Sequence, residues 1–99
     1  MNTDGRQFIN QGLLSYQEGD FAAAVGSLSQ GLKLMPNDWQ NRFVLAMAYG
    51  RAGMMRESRQ EFMTIRDICP DADLRRKAAT AVTALAQDVI KPAPPKRKS

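Results

Sequence analysis

Histidine is absent from this 99-residue chain, and cysteine occurs once, at Cys69. Without imidazole there is no Ser-His-Asp or Cys-His catalytic unit and no histidine metal ligand. A single thiol forms neither an internal disulfide nor a multi-cysteine zinc site, and it fits a reducing compartment. Long apolar runs are missing too. The longest, at 43–49 (FVLAMAY), has seven residues, against the roughly 20 that a membrane-spanning helix requires. The first eight residues (MNTDGRQF) hold no apolar stretch and no small-residue cleavage pattern, so no secretory signal is expected. The expectation is a soluble, cytoplasmic protein with no membrane insertion. Its hydrophobic content of 43% belongs to a folded domain rather than a disordered chain.

Charge is unevenly distributed. Fourteen Lys and Arg against ten Asp and Glu give +4. Four of the basic residues (Lys91, Lys96, Arg97 and Lys98) lie in 91–99, KPAPPKRKS, which has no acidic residue. Residues 1–90 therefore hold ten basic and ten acidic side chains and are neutral. Three prolines and no large apolar side chain make 91–99 an expected disordered basic tail beyond a domain of 1–90. Four charges without interleaved aromatics offer only weak, salt-sensitive attachment to nucleic acid or an anionic surface, and nucleic acid is not the expected partner.

What is present is a repeat. A shift of 34 residues aligns 5–38 with 39–72 without insertion. Gly12 then falls on Ala46, Gly19 on Gly53, Phe21 on Met55, Ala24 on Ser58, Leu28 on Phe62 and Pro36 on Pro70. In each copy, glycine at Gly19 or Gly53 can adopt the left-handed conformation that closes one helix and opens a tight turn. Beyond it, Phe21, Ala24, Val25, Leu28 and Leu32 recur at helical spacing, as do Met55, Ser58, Phe62, Ile65 and Cys69. Pro36 and Pro70 end those helices. Small residues at Gly12, Ala46, Ala24 and Ser58 mark close helix approach. Arg56, Glu57, Arg59, Gln60 and Glu61 are expected to face water. Apolar residues on nearly every side of 43–49 make that helix the expected centre of the assembly. A fifth helix is expected over 72–90, with Leu74, Ala78, Ala81, Val82, Leu85 and Val89 on one face. Asp71 or Asp73 would cap it, an Asp73–Lys77 pair would support it, and Arg75, Arg76 and Lys77 would be solvated.

The period, the small residues and the prolines at these offsets resemble the tetratricopeptide repeat (TPR) family over residues 5–72. The resemblance implies an all-α fold of antiparallel helix pairs stacked as a short right-handed solenoid of five helices, with repeat one at 5–38, repeat two at 39–72 and a capping helix at 72–90. Ile65 stands where the first copy has Gly31 and the family prefers a small residue, so the spacing after the second copy is expected to differ. TPR domains hold a partner segment on a concave face lined by the first helix of each pair. Matched residue by residue, that face comprises Arg6, Ile9, Leu13, Tyr16, Gln17, Gln40, Phe43, Met47 and Arg51. Co-chaperone members grip a terminal carboxylate with Lys and Asn on this face. The matching Ile9, Leu13 and Val44 cannot, so that specificity is not carried over.

The chemistry-bearing residues point away from catalysis. Cys69 has no histidine to activate it and reads as an inert, partly buried thiol at a helix end. Glu57 and Glu61 lie four apart on a face rich in Arg and Gln, and are better explained as helix surface than as a general acid–base pair or metal site. The glycines lack phosphate-loop or dinucleotide spacing. No enzyme, cofactor or metal is expected. The expected function is protein–protein interaction, as an adaptor, scaffold or small chaperone that binds an apolar or amphipathic segment in the groove. The alternatives are a homodimer formed through the same groove and cover by the fifth helix folding back.

Overall fold

A computed structural model describes residues 5–90, with side chains to residue 86. The fold is all-α. Among the described residues the five helices are α1 Gly5–Gln17, α2 Phe21–Leu34, α3 Trp39–Arg51, α4 Met55–Ile68 and α5 Ala72–Ile90. The expected tail at 91–99 lies outside the described residues, as do residues 1–4.

Local chemistry sets the boundaries. Gly19 and Gly53 adopt φ of +83° and +86°, a region that costs a residue with a Cβ but not glycine. The turns they form carry the same hydrogen bonds 34 residues apart. The Asp20 N–H donates to the Ser15 carbonyl at 2.9 Å, and the Met54 N–H to the Tyr49 carbonyl at 2.8 Å. The Gly19 N–H donates to Tyr16 and the Gly53 N–H to Gly50, each at 3.1 Å. This is the paired closure of a glycine-terminated helix, made twice. Carboxylates then start three of the following helices. Asp20 accepts from the Ala23 N–H, Asp38 from the Asn41 N–H, and Asp71 from the Asp73 and Leu74 N–H groups. Met54 holds the equivalent place before α4 and offers no side-chain acceptor.

Packing follows the chain. Each helix lies against the next; α1 and α5 also reach α3, and no Cα of α2 comes within 8 Å of α4. Among the described residues α3 alone approaches all four others, the central place its all-round apolar sequence implied. Two apolar clusters result, one around Ile9, Ala24, Leu28, Leu32, Leu45 and Ala48, the other around Ala46, Phe62, Ile65, Cys69, Leu74 and Ala78.

The small positions behave as their spacing predicted. Gly12, Ala24, Ala46 and Ser58 are buried, and a Cβ on Gly12 would lie 2.6 Å from Leu28 Cγ. Ser58 keeps its hydroxyl satisfied by donating to the Ala46 carbonyl at 2.7 Å. The departure at Ile65 has a visible consequence. Gly5 and Gly31 let α1 and α2 approach along their length, whereas Trp39 and Ile65 occupy the matching places in α3 and α4, and this second pair meets less extensively. Ile65 is fully buried and anchors the second cluster instead.

Several surface expectations are corrected. Glu61 does not stand free in water but accepts from Arg42 at 3.0 Å, with about a fifth of each side chain exposed. Asp73 pairs with Arg76 at 3.1 Å rather than with Lys77, and Asp71 is the residue that caps α5. Arg75 is half-buried because its guanidinium donates to the Cys69 carbonyl at 2.8 Å. Cys69 is more deeply buried than expected, enclosed by the turn between α4 and α5.

Candidate functional site

The C-terminal ends of α1 and α3 and one face each of α4 and α5 approach one another. Between them lies an open cavity of about 340 Å³. Its floor follows from the close approach of α3 and α4: Gly50 has no side chain, and a Cβ there would sit 3.2 Å from the Ser58 hydroxyl. Met47 on α3 and Phe62 on α4 supply apolar surface above that floor, and Tyr16 closes the α1 side. The far wall is α5, through Ala81, Ala84 and Leu85. The small pair Ala81 and Ala84 leaves the volume open, since a longer side chain at either place would extend into it. Met55, at the first turn of α4, is 39% exposed at the mouth.

Among the described residues Arg51 is the one charged residue lining this cavity. Its guanidinium lies over the Phe21 ring at 4.6 Å, and Phe21 meets Tyr16 edge-on with ring centroids 5.2 Å apart. A cation held over an aromatic ring is attracted by the ring's electron-rich face and needs no N–H donor for that contact. A second cavity of about 250 Å³ adjoins the first through Met55 and Leu85, which line both, and is bounded by Arg56 and Arg59. No carboxylate lines either cavity among the described residues.

The nine residues matched to the concave face fare differently. Tyr16, Met47 and Arg51 come together at the cavity. Ile9 is corrected to the core: it is 3% exposed, slotted against Gly31, whose missing Cβ would lie 2.8 Å from the isoleucine Cδ1. Leu13 is half-buried against the first cluster, and Phe43 against the second, edge-on to Phe62 at 5.1 Å. Arg6, Gln17 and Gln40 are exposed but border no part of the cavity. The fifth helix folds partly over the face, since Phe43, Met47, Ala81, Val82 and Leu85 share one cluster. Matching only the first helices of each pair missed the α4 and α5 walls. The signal for them was Leu85 on the apolar face of the fifth helix, one turn beyond Ala81.

A further cleft of about 380 Å³ separates α2, α3 and α4, with Lys33, Arg42, Tyr49 and Glu61 on its walls. Arg42 is held there by Glu61, by the Pro36 carbonyl at 3.4 Å and by the Trp39 ring at 5.5 Å, while its Nε is buried without a hydrogen-bond partner. Most of this cation is spent on the fold.

Among the described residues titration is perturbed at one exposed place. The Arg66 guanidinium hydrogen-bonds Asp67 at 2.8 Å, which holds the Asp67 carboxyl below its usual range and raises Arg66. Among the described residues no group of three or more acidic or thiol side chains is placed to hold a metal ion, and no helix is long and apolar enough to cross a membrane. No family model matches the chain, and neither a curated protein nor a solved structure is significantly similar to it.

Proposed function

We propose that the protein is an interaction module of TPR type that captures an apolar or amphipathic segment of a partner protein on the concave side. The observation that carries this reading is the open cavity at Met47, Phe62 and Leu85, with Met55 exposed at its mouth. Its volume is about twice the ~150 Å³ that accommodates a benzene ring in an apolar protein cavity. The 34-residue recurrence of both glycine turns and their hydrogen bonds supports the family resemblance. The reading is of a binder, an adaptor or small chaperone, rather than an enzyme.

A photo-cross-linking residue placed at Ala84, inside the cavity, tests it against one placed at the exposed Gln30 of α2. The expected result is a discrete adduct from Ala84 alone that disappears in Met47→Glu, with circular dichroism showing retained helix. Equal adducts from both positions would refute the groove.

A homo-oligomer is the second reading. Leu34 and Ile68 are 55% and 64% exposed and stand at the same place in the two copies, the last residue of α2 and of α4. Molar mass measured over a concentration series separates the two: a monomer leaves the groove to a partner.

A further inference from the structure

We infer that the segment this groove accepts is acidic: an amphipathic helix with an apolar stripe flanked by Asp or Glu. The inference rests on the interaction reading above and names the chemistry of the occupant. The two adjoining cavities share Met55 and Leu85, and the charged residues that line them are Arg51, Arg56 and Arg59. Three cations thus line two adjoining cavities, with no described carboxylate on either wall, a local positive excess although residues 1–90 are neutral as a whole.

These arginines are not consumed by ion pairs within the described residues. The bridges there join Arg42 to Glu61, Arg66 to Asp67 and Arg76 to Asp73. Arg51 lies over the Phe21 ring, a contact that uses no N–H donor, so its donors can serve an incoming carboxylate. Arg56 and Arg59 flank Glu57 in the first turn and a half of α4, so two cations there outnumber one carboxylate, where a cation opposes the helix dipole and where Met54 provides no cap. Charge placed against the local helix preference is costly to that helix and adds to the positive field at the cavity mouth.

A second copy of the chain is a poorer occupant. Lys33 adjoins the exposed Leu34, and Arg66 neutralises Asp67 beside the exposed Ile68, so neither knob brings net negative charge. Leu14, 54% exposed, has only Glu18 one turn away.

The test uses three synthetic helical peptides of about three to four turns with one leucine stripe, flanked by Glu, Gln or Lys, titrated against the full chain by fluorescence anisotropy. The Glu peptide is expected to bind about tenfold more tightly than the Gln peptide at about 0.05 M salt, as several rim ion pairs together supply. At about 0.5 M salt the advantage shrinks to about twofold. Arg56→Glu with Arg59→Glu, at the wall of the second cavity, should abolish the preference and favour the Lys peptide. If the Glu and Gln peptides bind alike, the acidic preference is overturned while the groove stands. If no peptide binds and the Ala84 adduct is also absent, the groove reading falls with it. If no peptide binds and the Ala84 adduct is the chain itself, the occupant is a second copy and the inference is overturned.

Discussion

A pair of identical substitutions isolates what holds α1 against α2. Gly12→Ala and Gly26→Ala both relieve an interior helical glycine, which alone stabilises a helix by about 0.5–1 kcal/mol. At Gly26 a Cβ meets nothing within 4 Å, so that gain should appear in full. At Gly12 the Cβ would sit 2.6 Å from Leu28 Cγ and 3.0 Å from the Leu28 backbone nitrogen. Neither atom is the far end of a flexible side chain, and Leu28 is fully buried, so the helices must separate. Overpacking of this kind costs about 1–3 kcal/mol, which outweighs the helix gain. The helix gain is common to both, so the two variants should differ by the overpacking cost of about 1–3 kcal/mol, in opposite directions from the parent. Urea unfolding followed by helical circular dichroism reads this directly, and each kcal/mol should move the melting temperature by about 4–8 °C for a domain of this size. A Gly12→Ala chain as stable as the parent would refute the close-packing argument for the first helix pair.

Three further outcomes follow from single contacts. Met54→Asp should stabilise the fold by about 1 kcal/mol by giving α4 the cap that α2, α3 and α5 already have, while weakening acidic-peptide binding; unchanged unfolding would refute the cap assignment. A double-mutant cycle with Arg42→Met and Glu61→Gln should return a coupling of about 1–2 kcal/mol, between the values for exposed and buried pairs; coupling near zero would mean the bridge is idle. In Arg66→Ala the Asp67 carboxyl should titrate higher by NMR. Because its folded value is depressed, its contribution to stability is present above the unfolded carboxyl range and is lost as pH falls through the folded value; an unmoved midpoint would contradict the pairing.

The helices were legible because their signals are local. Gly19 and Gly53 at matched places, prolines two residues past each second helix, and small residues facing small residues define two hairpins with little help from long-range contacts. The site was less legible because burial depends on what a neighbour lacks. Ile9 shares its helical stripe with Leu13 and Tyr16, and spacing alone gives all three to the same face. Gly31 opposite Ile9 draws that one residue into the core, while Tyr16, near the end of the helix, reaches the cavity. Arg56 and Arg59 read as water-facing residues of an amphipathic helix. What changes their meaning is Leu85, some thirty residues on, which brings α5 beside them.

The excess of +4 and the rim of Arg51, Arg56 and Arg59 make opposite predictions about one deletion. Removing residues 91–99 takes away four cations and the entire net charge. If acidic segments are drawn by net charge, their affinity should fall about tenfold at low salt and the loss should vanish near 0.5 M, about where the Debye length contracts below 5 Å. If they are drawn by the rim, three arginines lining the cavities are within reach of any carboxylate on the bound segment. The shortened chain should then bind the Glu peptide within about twofold of the full chain at about 0.15 M salt. It should also keep its preference over the Gln peptide, and the same peptide titration reads both. Loss of that preference on shortening would transfer the recognition from the groove to the basic segment.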